Sequence, residues 1–354
     1  MVWNVTAEAV LEVAAAFSAK VKAAFGSTPV FGTAGNHEGA PINQFRLELG
    51  GEGSRRLFAP LAEQWGGYGW LDAAAQAQLA AGGYYTTLVP GVATPDGRPL
   101  RLVVLHPGYH MSDNYYTLLD HDIDVANETA WMRDTVERAA ADGELVWVLT
   151  HHPPNDGDYA PAFMNGFFAP LVARHRETVR HVFSGHTHKA EVQLLWANAT
   201  NSSRLEPAVA VYVGAAPTPY GGVNPTFRVY DVDAATMEVV DYTDYTVDLA
   251  AQGLLNQVAR EPAARWRASY SAKAAYNMTD LAPQDWHLLA ERMRTDNDLF
   301  RRWEVNYHTN NSAVADFGPG ERLTRVCDIV GGTDRLFKMC KAGQFNTSVP
   351  SGSE

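Results

Sequence analysis

Cysteine is almost missing from this chain: Cys327 and Cys340 are the two present in 354 residues. A disulfide framework is therefore excluded, and the pair either closes one local loop or is two separate buried thiols. Positive charge is also short, with 28 Lys and Arg against 40 Asp and Glu and a net charge of −12. That balance gives no electrostatic footprint for a nucleic-acid polymer or a strongly anionic lipid surface. Long hydrophobic runs are absent too. The longest, such as Leu145–Leu149, fall far below the roughly 18 to 20 residues a membrane-spanning helix needs, so no transmembrane segment is expected and lipid contact could only be peripheral. Residues 1–13 have neither a basic start nor a continuous apolar stretch, so no export signal is expected in them.

What the chain does have is ample core material. Apolar residues make up 46% and aromatics 11%, which is globular composition at a length that suggests two domains. Asn-x-Ser/Thr acceptors begin at Asn4, Asn127, Asn198, Asn201, Asn277, Asn310 and Asn346, where about two would arise by chance. That excess points to a secretory history.

Apolar residues at Val10, Val13, Phe17, Val21 and Phe25, ended by Gly26, predict an amphipathic helix over 6–25. Three short apolar segments, 30–34, Leu145–Leu149 and 182–183, are predicted strands, each running into a polar loop. Helices predicted over 126–141 and 168–178 precede the second and third, an alternation typical of layered α/β proteins. After Ala190 the pattern becomes a series of β segments, and from about residue 252 it turns helical and aromatic with no convincing strand. A domain boundary is expected near residue 250, and residues 346–354 read as a disordered tail.

The three polar loops hold Asn36 with His37, then His151, then His186 with His188. Imidazole nitrogens and an amide oxygen make a mixed donor set for zinc or iron. Two such ions side by side suit phosphoester hydrolysis, because they generate a nucleophile and clamp phosphoryl oxygens.

These residues carry a family resemblance. Gly35-Asn36-His37-Glu38 with Pro41, Asn43 and Phe45, then His151 with Pro153-Pro154, then Gly185-His186-Thr187-His188, resemble the successive motifs of calcineurin-like metallophosphoesterases. Tyr220, Gly222, Asn224, Pro225, Arg228, Val229 and Tyr230 resemble the following segment of the acid sphingomyelinase and acid sphingomyelinase-like phosphodiesterase family. The tail is similar as well, through Trp286-His287, Arg292-Met293-Arg294, Leu299-Phe300, Tyr307-His308 and the two cysteines.

The resemblance implies a partial four-layer αββα sandwich over 1–250 and a helical C-terminal domain over 251–345. It implies two divalent ions, expected to be Zn2+, with Asn36, His151 and His186 on one and His188 on the other, and His37 as the acid that protonates the leaving oxygen. It further implies a Cys327–Cys340 disulfide. Glycans are expected at Asn127, Asn198 and Asn277 in a secreted or lysosomal protein. The expected reaction is hydrolysis of sphingomyelin or a related phosphodiester. A nucleotide phosphodiesterase, and a non-catalytic glycoprotein that has lost its metal pair, are the rival readings. His152 is set aside because the motif asks for one histidine there, and His106 stands where the family usually has Asn. The family's opening Asp-x-His and Gly-Asp motifs do not occur here, so a truncated chain that binds metal poorly and hydrolyses little is expected.

Overall fold

The structure is a computed structural model that describes residues 5–46, 53–119, 124, 126–197, 205–254 and 265–344. It divides into two compact units, Met1–His152 with Gly157–Leu171 and Glu177–Val182, and Pro153–Asp156 with Val172–Arg176 and Phe183–Glu354. The expected boundary near residue 250 falls inside the second unit. Asn198 and the 346–354 tail lie outside the described residues.

In the first unit, helices α1 (Ala7–Phe25), α2 (Arg55–Gly67) and α3 (Ala73–Gly82) lead into strands β1 (Tyr85–Ala93) and β2 (Pro99–Val104). Helix α4 (Glu128–Ala141), strand β3 (Leu145–Leu149), helices α5 (Pro161–Phe163) and α6 (Ala169–Arg174), and strand β4 (Val179–Ser184) follow, the last two running into segments of the second unit. Thr6 caps α1 by accepting from Ala9 N–H at 3.3 Å, and Gly26 at φ 58° ends it. Strands line up as β1-β2-β3-β4, with β2 parallel to β3 from Leu100↔Leu145 to Val104↔Leu149. Leu61, Trp65, Leu79, Tyr85, Leu102 and Val104 form the core between the helices and this sheet. Parallel strands deliver their following loops to one end, which is where ligand groups collect in open α/β sheets.

One expected strand does not form. Residues 30–34 join no ladder; Gly32 carbonyl accepts from Tyr85 Oη at 2.9 Å and Thr33 Oγ1 donates to Leu105 carbonyl at 2.9 Å. Side-chain hydroxyls bond this segment where a neighbouring strand would otherwise do so.

The second unit pairs β5 (Glu191–Ala197) with β6 (Glu206–Val213), and orders β7 (Thr226–Val232), β8 (Val239–Thr246) and β9 (Arg267–Ser271) in an antiparallel sheet. The sequence reading missed β9, which is short and polar. Helices α7 (Ala272–Tyr276), α8 (Pro283–Met293), α9 (Asn297–Tyr307), α10 (Pro319–Val330) and α11 (Asp334–Lys341) complete it. Val192, Leu194, Tyr212, Tyr242, Trp286 and Phe300 belong to one core, so the helical tail and the strands before residue 250 fold as one body. The aromatic tail residues Trp286, Phe300 and Trp303 are buried in it. Arg228 is buried on Asp244, at 2.6 and 2.9 Å, under the Tyr242 ring at 3.7 Å, a paired charge that fixes β7 on β8.

The α/β class and the helical C-terminal region are as expected, and a disulfide joins Cys327 on α10 to Cys340 on α11. Among the described residues no helix is long and apolar enough to cross a membrane. The bridge closes a short loop, with a sequence separation of 13, and such closure contributes roughly 2–4 kcal/mol. Replacing both cysteines by Ser should lower the urea-unfolding free energy by about that amount, and peptide mapping without reductant should recover the linked pair. Unchanged unfolding would show that the bridge adds nothing.

Candidate metal centre

The loop after residue 34 is built around one glycine. Gly35 N–H donates to Glu38 Oε2 at 2.7 Å, closing a single 3₁₀ turn over Asn36–Glu38. A Cβ on residue 35 would lie 2.8–2.9 Å from the His151 ring atoms, so only glycine lets the two loops approach. Asn36 is buried, its Nδ2 donates to Asn43 Oδ1 at 2.9 Å, and its Oδ1 meets His151 Nε2 at 2.9 Å. Asn43 holds φ 66°, a left-handed conformation Asn tolerates, and its N–H donates to Asn36 carbonyl at 3.0 Å. A carboxamide oxygen and an imidazole nitrogen thus meet directly.

His37 sits in the same turn and is exposed. It lines a groove of about 620 Å³ whose walls include Val10, Phe17, Val30, Trp65 and Trp70. Burial raises the Glu38 carboxyl above its usual range, although Gly35 N–H opposes the rise.

Behind the loop His106 is boxed by Phe45, Phe58 and Tyr109, with ring centroids 4.3, 4.9 and 4.9 Å away. Its backbone N–H donates to Glu128 Oε1 at 2.6 Å, and His110 Nε2 lies 3.2 Å from Glu128 Oε2. Burial pushes the His106 imidazole down to about 3 and raises the Glu128 carboxyl. His106 is therefore a neutral packing group at neutral pH.

In the second unit His186 and His188 both adopt left-handed backbone, at φ 69° and 63°. Non-glycine residues accept this only where the surroundings impose it, and such strain gathers at functional turns. Thr187 N–H donates to Gly185 carbonyl at 2.8 Å, and Lys189 N–H to Thr187 Oγ1 at 3.2 Å. His186 Nε2 stands 3.5 Å from Asp156 Oδ2, whereas His188 Nδ1 faces Tyr220 carbonyl at 3.4 Å. The two imidazoles have different partners, which a regular strand would not have allowed at positions i and i+2.

The turn is fixed to the helical tail by a polar chain. Lys189 Nζ reaches His308 Nδ1 at 3.1 Å, His308 Nε2 meets Glu304 Oε1 at 3.0 Å, and Arg325 Nε donates to Glu304 Oε2 at 2.9 Å. Arg325 continues to Asp328 Oδ2 at 3.0 Å, and burial raises that carboxyl.

The family model described as calcineurin-like phosphoesterase matches residues 6–190, a span that contains all five expected site residues. This chain belongs to the calcineurin-like phosphoesterase family. Among curated relatives, human "Sphingomyelin phosphodiesterase" is 28% identical over 92% of this chain and 49% of its own length. The Bos taurus protein of the same name is 29% identical over 99% of this chain and 53% of its own. Mouse "Acid sphingomyelinase-like phosphodiesterase 3b" is 26% identical over 97% of this chain and 73% of its own. The chain spans about half the length of the first two of these relatives.

Within this phosphoesterase chain the structure brings Asn36 together with His151 in one unit, and sets His186 and His188 on one turn in the other. Sequence reasoning named Asn43 as a motif residue without its role of orienting Asn36, and missed Asp156, which stands beside His186. It also set aside His152, a further imidazole among the metal-binding candidates. Asn43 was visible as a polar residue seven positions after Asn36, but its hydrogen bond was not.

The His106 box gives a pH prediction. In the unfolded chain this imidazole titrates near 6.5, so below that pH the unfolded state takes up a proton that the folded state refuses. Its contribution to stability is lost as pH falls from about 6.5 toward 3. At pH 5 the loss is about 2 kcal/mol. Urea unfolding at pH 7 and pH 5 should show His106→Asn removing that much of the difference. An unaltered pH difference would mean that the ring protonates in place.

Proposed function

We propose that this chain hydrolyses phosphodiesters with the help of divalent metal ions, with sphingomyelin as the first substrate class. The observation that carries this is the convergence of Asn36 Oδ1 and His151 Nε2 at 2.9 Å across a side-chain-free Gly35, in a chain of the phosphoesterase family. The relatives' names supply the substrate class.

The donors fit a metal. A buried amide oxygen and imidazole nitrogens are the hard and borderline ligands that zinc accepts, which makes Zn2+ the ion of choice. In this reading Asn36, His151 and His186 hold one ion and His188 belongs to the second. Bound divalent ions supply Lewis acidity that activates water and offsets charge on the phosphoryl oxygens. The protein's own residues do the rest. Asn43 orients the Asn36 oxygen toward His151, because its own Oδ1 accepts from the Asn36 amide nitrogen. His37 is exposed, and in its protonated form donates a proton from a ring nitrogen to the departing alkoxide.

Secretion fits the same reading. Asn127 and Asn277 are exposed and available for glycans, and the Cys327–Cys340 bridge persists in an oxidising environment.

His37→Ala should lower turnover on sphingomyelin by roughly 10²- to 10⁴-fold, as loss of a general acid does, while zinc content stays constant. A p-nitrophenyl phosphodiester, whose leaving group needs no proton, should suffer much less. Equal losses on both substrates, or lost zinc, would remove His37 from the acid role.

A further inference from the structure

We propose that Asp156 is a carboxylate ligand of the ion held by His186, an inference resting on the metal-dependent reading above. Asn36, His151, His186 and His188 are all neutral donors, and a carboxylate beside them adds the negative charge a dication favours. Dications in proteins ordinarily have one or more anionic ligands when the site is tight. Asp156 brings one to His186.

The spacing is that of two ligands on one ion. Zinc bonds to nitrogen or oxygen at about 2.0–2.2 Å, so two corners of its tetrahedron stand about 3.3–3.6 Å apart. Asp156 Oδ2 and His186 Nε2 are 3.5 Å apart.

The position is also built. Asn155 N–H donates to Gln193 Oε1 at 3.2 Å, Gln193 Nε2 donates to Asn155 Oδ1 at 2.6 Å, and Asn155 Nδ2 donates to Asp328 carbonyl at 3.2 Å. Asp156 N–H itself donates to Pro153 carbonyl at 3.0 Å. On the other side, the left-handed backbone of His186 is held by the Gly185–Thr187 bond. Both groups keep partial access to solvent, with side chains 13% and 30% exposed, so an ion can enter. Such anchored carboxylates are what a preorganised site needs, because the ligands do not have to be ordered when the ion arrives.

The test uses the full chain stripped of metal and titrated with zinc alone against a chromogenic chelator. Asp156→Asn, nearly isosteric and leaving the Asn155 bonds intact, should weaken zinc at least tenfold. Asp156→Glu should recover part of the loss, and Asp158→Asn, on a neighbouring exposed carboxylate, should change nothing. With cobalt in place of zinc, Asp156→Asn should shift the visible absorption bands, which a merely structural role would leave alone. Unaltered zinc affinity and unaltered cobalt bands in Asp156→Asn would overturn the assignment, as would a parent chain that binds no zinc. Phosphodiesterase activity separates the two proposals. A chain that binds zinc through Asp156 yet cleaves no phosphodiester refutes the hydrolase reading and keeps the ligand. A chain that cleaves while Asp156→Asn binds zinc normally does the reverse.

Discussion

The close approach of His151 to Gly35 governs the loop that carries Asn36. Because residue 35 has no Cβ, the His151 ring reaches Asn36 Oδ1, and because Asn43 Oδ1 accepts from the Asn36 amide nitrogen, that oxygen is fixed toward the ring. Everything nearby supports this geometry. Glu38 closes the turn, Asn114 ties the loop onward through Phe45 carbonyl at 2.7 Å, and the neutral His106 fills the aromatic box beneath. A charged group in that box would be costly, so the loop's packing depends on an imidazole that stays unprotonated.

The histidine turn of the second unit solves a different problem. Two left-handed histidines in succession are unfavourable in isolation, and the strain is offset by anchoring the turn to helices that arrive more than a hundred residues later. Lys189, His308, Glu304 and Arg325 make that anchor, with Ala190 N–H donating to Tyr307 carbonyl at 3.2 Å beside it. Burial of Lys189 lowers its ammonium and burial of Asp328 raises its carboxyl, so the chain is a network held by mutual pairing. The helical tail therefore does two jobs, closing the core of β5 and β6 and holding the histidine turn.

Much of this was legible in the sequence, for physical reasons that differ by element. Helix α1 showed itself through three- and four-residue spacing and Gly26, and β3 through an unbroken apolar run. The candidate site residues stood out because polar groups directly after short apolar segments are rarely there for packing. Residues 30–34 misled, since an apolar segment specifies burial but not a ladder partner. Strand β9 was invisible because Arg267–Ser271 has little apolar alternation and owes its pairing to β8. Helix α2 carries Pro60 inside it, a residue that argues against a helix on local grounds. Asp156 was illegible for a longer-range reason: its place beside His186 depends on Asn155 bonding Gln193 and the Asp328 carbonyl, across 38 and 173 positions. The disulfide stayed open by spacing alone, and the family resemblance decided it.

The central claim is that donors on these loops support metal-dependent cleavage of a phosphodiester. The most direct test is to strip the full chain of metal, add zinc in steps, and measure bound zinc and the hydrolysis of bis(p-nitrophenyl) phosphate on the same samples. The account predicts that turnover appears in proportion to bound zinc, disappears with chelator and returns on readdition. Bound zinc without turnover, or turnover indifferent to chelator, would contradict it.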